Sequence, residues 1–126
     1  MKSFVYDTAV LVTADRDERR AWADHKARLE LGAIPFVPAP VLAQVSRSSR
    51  QVQLRRFLAG CFVVGVGESE AHEAGRLLGK AGMADVVDAM VVTVAVRKKA
   101  VILTGDVDDI ERLAAVAGGE VGVVGV

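Results

Sequence analysis

Apolar residues fall along this chain in short blocks of three or four, separated by longer stretches whose apolar positions recur at helical spacing. Phe4-Val5-Tyr6 is the first block, a strand that stops at Asp7, where Thr8 opens a turn or helix and Val10, Leu11 and Val12 continue apolar. Residues 15–30 are charged at most positions, with Ala21, Trp22, Leu29 and Leu31 forming an inward stripe, and Gly32 ends that helix. Ile34-Pro35-Phe36-Val37 is a second strand, whose proline suits a sheet edge or a strand start. Pro38-Ala39-Pro40 leads into a helix over residues 41–45, residues 46–56 are polar and basic, and Phe57-Leu58-Ala59-Gly60 closes a further helix. Cys61-Phe62-Val63-Val64 reads as a buried strand. Residues 69–79 form a helix with Ala71, Ala74, Leu77 and Leu78 inward. Residues 82–113 then give a helix bearing Asp85 and Asp88, a strand at residues 101–103 ending in Thr104-Gly105-Asp106, and another helix that starts with Asp108 and Asp109. Gly118-Gly119 makes a turn, and residues 121–124 are the last strand. The order is βααβααβααβαβ, with strands too apolar to face water on either side. A single α/β domain over residues 1–126 is expected: a doubly wound parallel sheet of about five strands with helices on both faces.

Composition supports this. Hydrophobic residues make up 52% of the 126 but aromatics only 5%, so the core must be built from Val, Ala and Leu. The formal net charge is zero, yet no acid stands between Glu30 and Glu68, where Arg47, Arg50, Arg55 and Arg56 gather. One cysteine excludes an internal disulfide and a cysteine-based zinc cage, and its apolar neighbours make Cys61 an inert core thiol. There is no apolar run long enough for a membrane helix and no signal-peptide pattern, so a cytoplasmic protein is expected.

The acids carry the chemistry. Asp7 and Asp106 stand at strand ends, where ligands sit in open α/β sheets, and Asp85 and Asp88 are one helical turn apart. If the first and fourth strands are neighbours, Asp7 and Asp106 share an edge and Asp88 can be aimed at both. Two carboxylates about 4 Å apart repel by roughly 4 kcal/mol at an effective dielectric near 20. A cluster of them therefore needs a cation, shared protons or separation by water. Oxygen ligands without His or Cys favour Mg2+ or Mn2+ over zinc, an arrangement suited to phosphodiester hydrolysis. The alternative for Asp7, Asp85 and Asp106 is helix capping, with Asp108 and Asp109 adding charge to a first turn; an aspartate inside an apolar helix, as Asp88 is, has no such explanation.

The strand-end Asp7-Thr8-Ala9-Val10-Leu11, the run Asp85-Val86-Val87-Asp88-Ala89 and Leu103-Thr104-Gly105-Asp106, in this order, resemble the PIN-domain family, and most nearly the VapC-type toxins of bacterial type II toxin–antitoxin modules. The resemblance covers essentially the whole chain. It implies a Mg2+- or Mn2+-dependent endoribonuclease acting on structured RNA, with tRNA one candidate, commonly a homodimer and held inactive by a VapB-like antitoxin. It also implies a quartet of acids, three of them matched by Asp7, Asp88 and Asp106. The fourth, usually a glutamate, falls at Gln44, which brings a carbonyl but no charge. Asp85 and Asp109 are then the acids that would make up the missing charge, and Thr104 matches a hydroxyl the family keeps beside the last acid. On this reading Asp7, Asp88 and Asp106 hold metal, while Gln44 and Thr104 orient water or the scissile phosphate. Arg47, Arg50, Arg55 and Arg56 either hold RNA phosphates or form a solvated helix face. His25 and His72 are expected on helix surfaces, and Trp22 and Phe57 in packing. Two other readings stay open: a PIN-fold protein with little or no nuclease activity that works by binding RNA or protein, and a response-regulator-like domain, which the absence of a lysine at the end of the last strand disfavours.

Overall fold

The computed structural model describes residues 2–126. Strands β1 (Ser3–Tyr6), β2 (Ile34–Pro38), β3 (Phe62–Val64), β4 (Val101–Thr104) and β5 (Val123–Gly125) form one sheet in the order β3-β2-β1-β4-β5, every pair parallel. Between them run α1 (Thr8–Asp15), α2 (Arg19–Glu30), α3 (Ala39–Val45), α4 (Val52–Leu58), α5 (Glu68–Ala81), α6 (Val86–Lys98) and α7 (Val107–Val116). The element order is the one the hydrophobic pattern predicts. The chain winds outward from β1 to β3, then returns through α5 and α6 to lay β4 on the other side of β1. Strand order reverses between β1 and β4, so a crevice opens where their carboxyl ends diverge.

Register sets the two faces of the sheet. Phe4 pairs with Val101 and Tyr6 with Leu103, and Leu103 with Val124, so these side chains share the face that carries α1 and α2. Val5, Ile102 and Val123 share the other, beneath α6 and α7. Helix α6 runs through the middle: Ala89 and every residue from Val91 to Ala95 are buried, as a helix enclosed on all sides requires. Its start is fixed by Asp85, whose side chain accepts from the Asp88 N–H, and the preceding α5 stops at Gly82, in the left-handed region at φ 66°.

Several expectations about exposure are corrected. Pro35 lies in an interior strand, not at an edge. The amide of Ile34 donates to β1 (Lys2 O, 2.9 Å), so the nitrogen of Pro35 points the other way, toward β3, whose pairing begins only at Phe36. The strand-start alternative therefore holds. β3 is not buried: it is an edge strand, with Phe62 60% exposed. Cys61 is half-buried at its start, and burial pushes the thiol up to about 12, in keeping with an inert thiol. Leu31 and Ala71 face solvent, so α2 and α5 are narrower stripes than expected.

The clearest correction concerns His25, which is 3% exposed rather than on a helix surface. Its Nδ1 lies 2.8 Å from the Tyr6 hydroxyl, which in turn accepts from Arg28 (3.3 Å). Because that oxygen receives the guanidinium, its own proton goes to Nδ1, and the imidazole is neutral. Burial, aided by the Arg28 charge, pushes His25 down to about 4. Its ring stacks at 4.0 Å on Phe57, which meets Trp22 edge-on at 5.2 Å. Trp22 and Phe57 thus pack as expected, and the Trp22 indole also donates to Ala14 O (3.1 Å), tying α2 to α1.

Candidate metal centre

The crevice between β1 and β4 holds the acids. Asp7 ends β1, is buried, and uses both carboxylate oxygens: one accepts from the Thr8 N–H (2.7 Å), capping α1, the other from the Thr104 hydroxyl (2.7 Å). Thr104 Oγ also accepts from the Asp106 N–H (2.9 Å), so a single hydroxyl ties the ends of the two strands together. Thr104 is fully buried, and its hydroxyl, donating to Asp7 and accepting from Asp106, positions the Asp7 carboxylate. Gly105 allows the close approach. A Cβ there would lie 2.9 Å from the Ala9 Cβ, a separation that side-chain carbons do not adopt. The small pair Ala9/Gly105 therefore lets the first turn of α1 sit against the β4–α7 connection.

Asp88 enters from the opposite side, in the first turn of α6. It is 7% exposed, and its Oδ2 is fully buried with no hydrogen-bond partner among the described residues. Carboxylate oxygens of Asp88, Asp106 and Asp109 all lie within 4.8 Å of one another. Burial first, and then the charges of Asp85, Asp7, Asp106 and Asp109, push Asp88 up to about 7. Asp106 is also raised, by lost hydration and by the Asp109 carboxylate. A buried carboxylate with an orphaned oxygen, set beside two more acids, is the arrangement a cation relieves. The donor set is all oxygen, the kind that hard divalent cations prefer.

The acids picked out in the sequence divide into two groups. Asp88, Asp106 and Asp109 are brought together. Asp7 stands beside them, close enough for its charge to act on Asp88 and Asp106. Asp85 serves as the cap of α6 through its bond to the Asp88 N–H (3.0 Å). Asp106 occupies the capping position of α7 and makes no capping bond of good geometry, although the Asp109 N–H is near enough to its carboxylate to offset part of the upward push on its pKa. Gln44 stands exposed on α3 at the rim, its carbonyl accepting from the Thr8 hydroxyl. Thr8 was not singled out in the sequence, although the Asp-Thr cap signal pointed to that turn.

The four arginines do not form one patch. Arg47 donates to the carbonyls of Ala43 (2.8 Å) and Ser46 (2.9 Å), and Arg55 to those of Ser49 and Ser48, so both brace the α3–α4 loop. Arg56 instead lines a cleft between α2 and α4 with Trp22 and Lys26. Sequence reasoning missed the residue that holds this loop. Gln51 accepts from the N–H groups of Arg47 (2.6 Å) and Ser48, and donates to Val45 O (2.9 Å) and to the Asp15 carboxylate (3.1 Å). His72 is exposed, as expected, beside Glu68.

No protein-family model matches this sequence, and neither does any curated protein. Solved structures do resemble it across nearly their whole length. The crystal structure of VapBC2 from Rickettsia felis bound to a promoter DNA fragment aligns with a TM-score of 0.77, at 16% identity over 98% of each chain. A toxin–antitoxin complex from Klebsiella pneumoniae gives 0.69, at 18% identity over 95% of this chain and 94% of that one. FitAcB from Neisseria gonorrhoeae gives 0.65, at 13% identity over 95% of each. These likenesses establish the fold. The chain has the PIN-like α/β fold of the VapC type, with its acids at the crevice where that sheet reverses direction.

Proposed function

We propose that this chain is a metal-dependent endoribonuclease, the VapC-like toxin of a type II toxin–antitoxin module, cleaving structured RNA such as tRNA by phosphodiester hydrolysis in the cytoplasm. The observation that carries this reading is the carboxylate of Asp88, which is buried, has an unpartnered Oδ2, and brings an oxygen within 4.8 Å of oxygens of Asp106 and Asp109. Asp88, Asp106 and Asp109 would hold Mg2+ or Mn2+, with Asp7 beside them and Asp85 supplying field without contact. When bound, such an ion polarises a phosphoryl oxygen and lowers the pKa of water. The chain's own residues do the rest. Thr104 fixes the Asp7 carboxylate, and the Thr8 hydroxyl fixes Gln44. With the Gln44 carbonyl engaged there, its amide N–H groups are what it can offer to a phosphate oxygen. Arg47 and Arg50, on the loop that follows α3, and Arg55, on α4, would hold flanking RNA phosphates against the repulsion of the acids. The solved relatives named above are complexes of toxin and antitoxin, and this supports a VapB-like antitoxin as partner; a homodimer is the assembly we infer.

The test is cleavage of pooled tRNA with Mn2+ or Mg2+. Wild type should cut, chelation should stop it, and Asp7→Asn should slow it by about 100-fold or more, the effect of losing a few kcal/mol at the transition state. Absence of cutting with either ion, or equal cutting by Asp7→Asn, rules the nuclease out.

One observation favours a second reading. Gln44 is neutral, and its carbonyl is tied to Thr8, so the position the resemblance gives to a glutamate brings no charge to the site. A PIN-fold protein that binds RNA or protein with weak or no cleavage would tolerate this. Gln44→Glu decides how that position is used. On the nuclease reading it should tighten Mn2+ binding by about tenfold in calorimetry, roughly 1.4 kcal/mol; weaker binding would remove Gln44 from the site.

A further inference from the structure

We propose that the free edge of β5, with the uncovered sheet face beside it, docks an extended, apolar and acidic segment of a partner polypeptide as a sixth strand. The winding of the chain leaves this surface open. Helices α1 to α4 follow β1 and β2 and lie over one face, and of these only α1 reaches as far as β4. The helix against β5 is α7, on the opposite face, close enough that a Cβ at Gly125 would come 3.2 Å from Val107. On the open face, Val124 and Val126 are 50% and 60% exposed. Together with Val10 and Leu103 they floor a groove of about 750 Å³.

Two features select the occupant. The first is the edge itself. From Val121 to Val126 there is no charge and no proline, the usual devices by which an exposed edge strand is kept from pairing. An edge without them is suited to strand addition, in which main-chain bonds supply affinity whatever the partner's sequence. The second is the far wall, helix α2, where Arg19 and Arg20 in its first turn and Arg28 in its last outnumber Glu18 and Asp24, and Asp24 already faces Arg20 at 3.8 Å. A segment with apolar side chains against Val124 and Val126 and carboxylates toward this wall is attracted, and a basic one is repelled. The metal centre plays no part, so the proposal stands or falls separately from the nuclease reading.

The experiment uses the full chain and two labelled peptides followed by fluorescence anisotropy: glutamate–threonine–valine–threonine–valine–threonine–glutamate, and its counterpart with lysines in place of glutamates. Both place valines and charges on one face of a strand, in either direction. Wild type should bind the glutamate peptide about tenfold or more tightly than the lysine peptide, and Val124→Lys and Arg19→Glu should each weaken it by about tenfold. Both positions line an open groove, and circular dichroism checks that the variants fold; if one does not, the two-peptide comparison on wild type decides. Equal affinity for the two peptides, or binding indifferent to both substitutions, overturns the proposal. So does sedimentation showing that Val124→Lys merely turns a dimer into a monomer, which would make the occupant a second copy of this chain.

Discussion

Asp88→Asn should make the metal-free protein more stable at pH 8, by up to about 4 kcal/mol, while removing the nuclease activity proposed above. The stability gain follows from linkage. Asp88 is pushed from its ordinary 3.8 up to about 7 in the folded chain, by burial first and by the surrounding aspartates next. The folded state therefore binds the Asp88 proton more tightly than the unfolded state does. Stability from this group is fully present below pH 3.8 and is lost as pH rises toward 7, at about 1.4 kcal/mol for each pKa unit separating the two states. Asparagine cannot ionise, so the variant escapes that loss. Urea denaturation in chelator between pH 4 and 8 should show wild type weakening across this window and Asp88→Asn holding nearly level. Mn2+ should then close most of that gap. An ion at one hundred times its dissociation constant adds about 2.7 kcal/mol to the protein that binds it, and the variant lacks the central ligand. A wild type that is level from pH 4 to 7 without metal would mean that the carboxylates are not packed together as described.

Phe57→Ala should cost about 3–5 kcal/mol, the range for deleting a fully enclosed aromatic ring. Phe57 is completely buried, and its ring is shared by Tyr6 (5.7 Å), Trp22 (5.2 Å) and His25 (4.0 Å). It is the piece that joins α4 to β1 and α2, so neighbours cannot close the gap without moving a helix. A second readout identifies the mechanism. Phe57 keeps water from His25, so its loss should raise the histidine from about 4 toward its usual 6.5, measured by NMR titration of the ring. A stability loss below about 1 kcal/mol, or an unmoved His25, would contradict this account of the cluster. Metal affinity should change little in the folded variant, because the carboxylates are held by Thr8, Thr104 and the first turn of α6 rather than by Phe57.

Much of the fold was legible because its signals are local. Blocks such as Phe4-Val5-Tyr6 and Val101-Ile102-Leu103 are apolar on both faces, which only a strand covered on both sides accepts, and the helices between them force parallel crossovers. Exposure was less legible. Phe62 and Val63 carry the same apolar pattern as the interior strands but lie at the edge, and strand order is a property of the whole topology rather than of three residues. His25 was misplaced for a related reason. Its helix is charged at most positions, and only the arrival of Tyr6 and Phe57 from two other elements supplies the hydrogen bond and the apolar surroundings that let an imidazole be buried.

The same division holds at the metal centre. From the sequence alone came the set of acids, their places at strand ends and in the first turn of α6, and the lack of charge at Gln44, since each is a matter of residue type and local periodicity. The sharing of work among them came from tertiary structure only. Asp85 caps, Thr104 holds Asp7, Gln44 is bound to Thr8, and Asp109 joins Asp88 and Asp106. These bonds span up to 97 positions of sequence. Which carboxylate is left with a buried, unpaired oxygen depends on what the other chain segments bring beside it, and no local pattern encodes that.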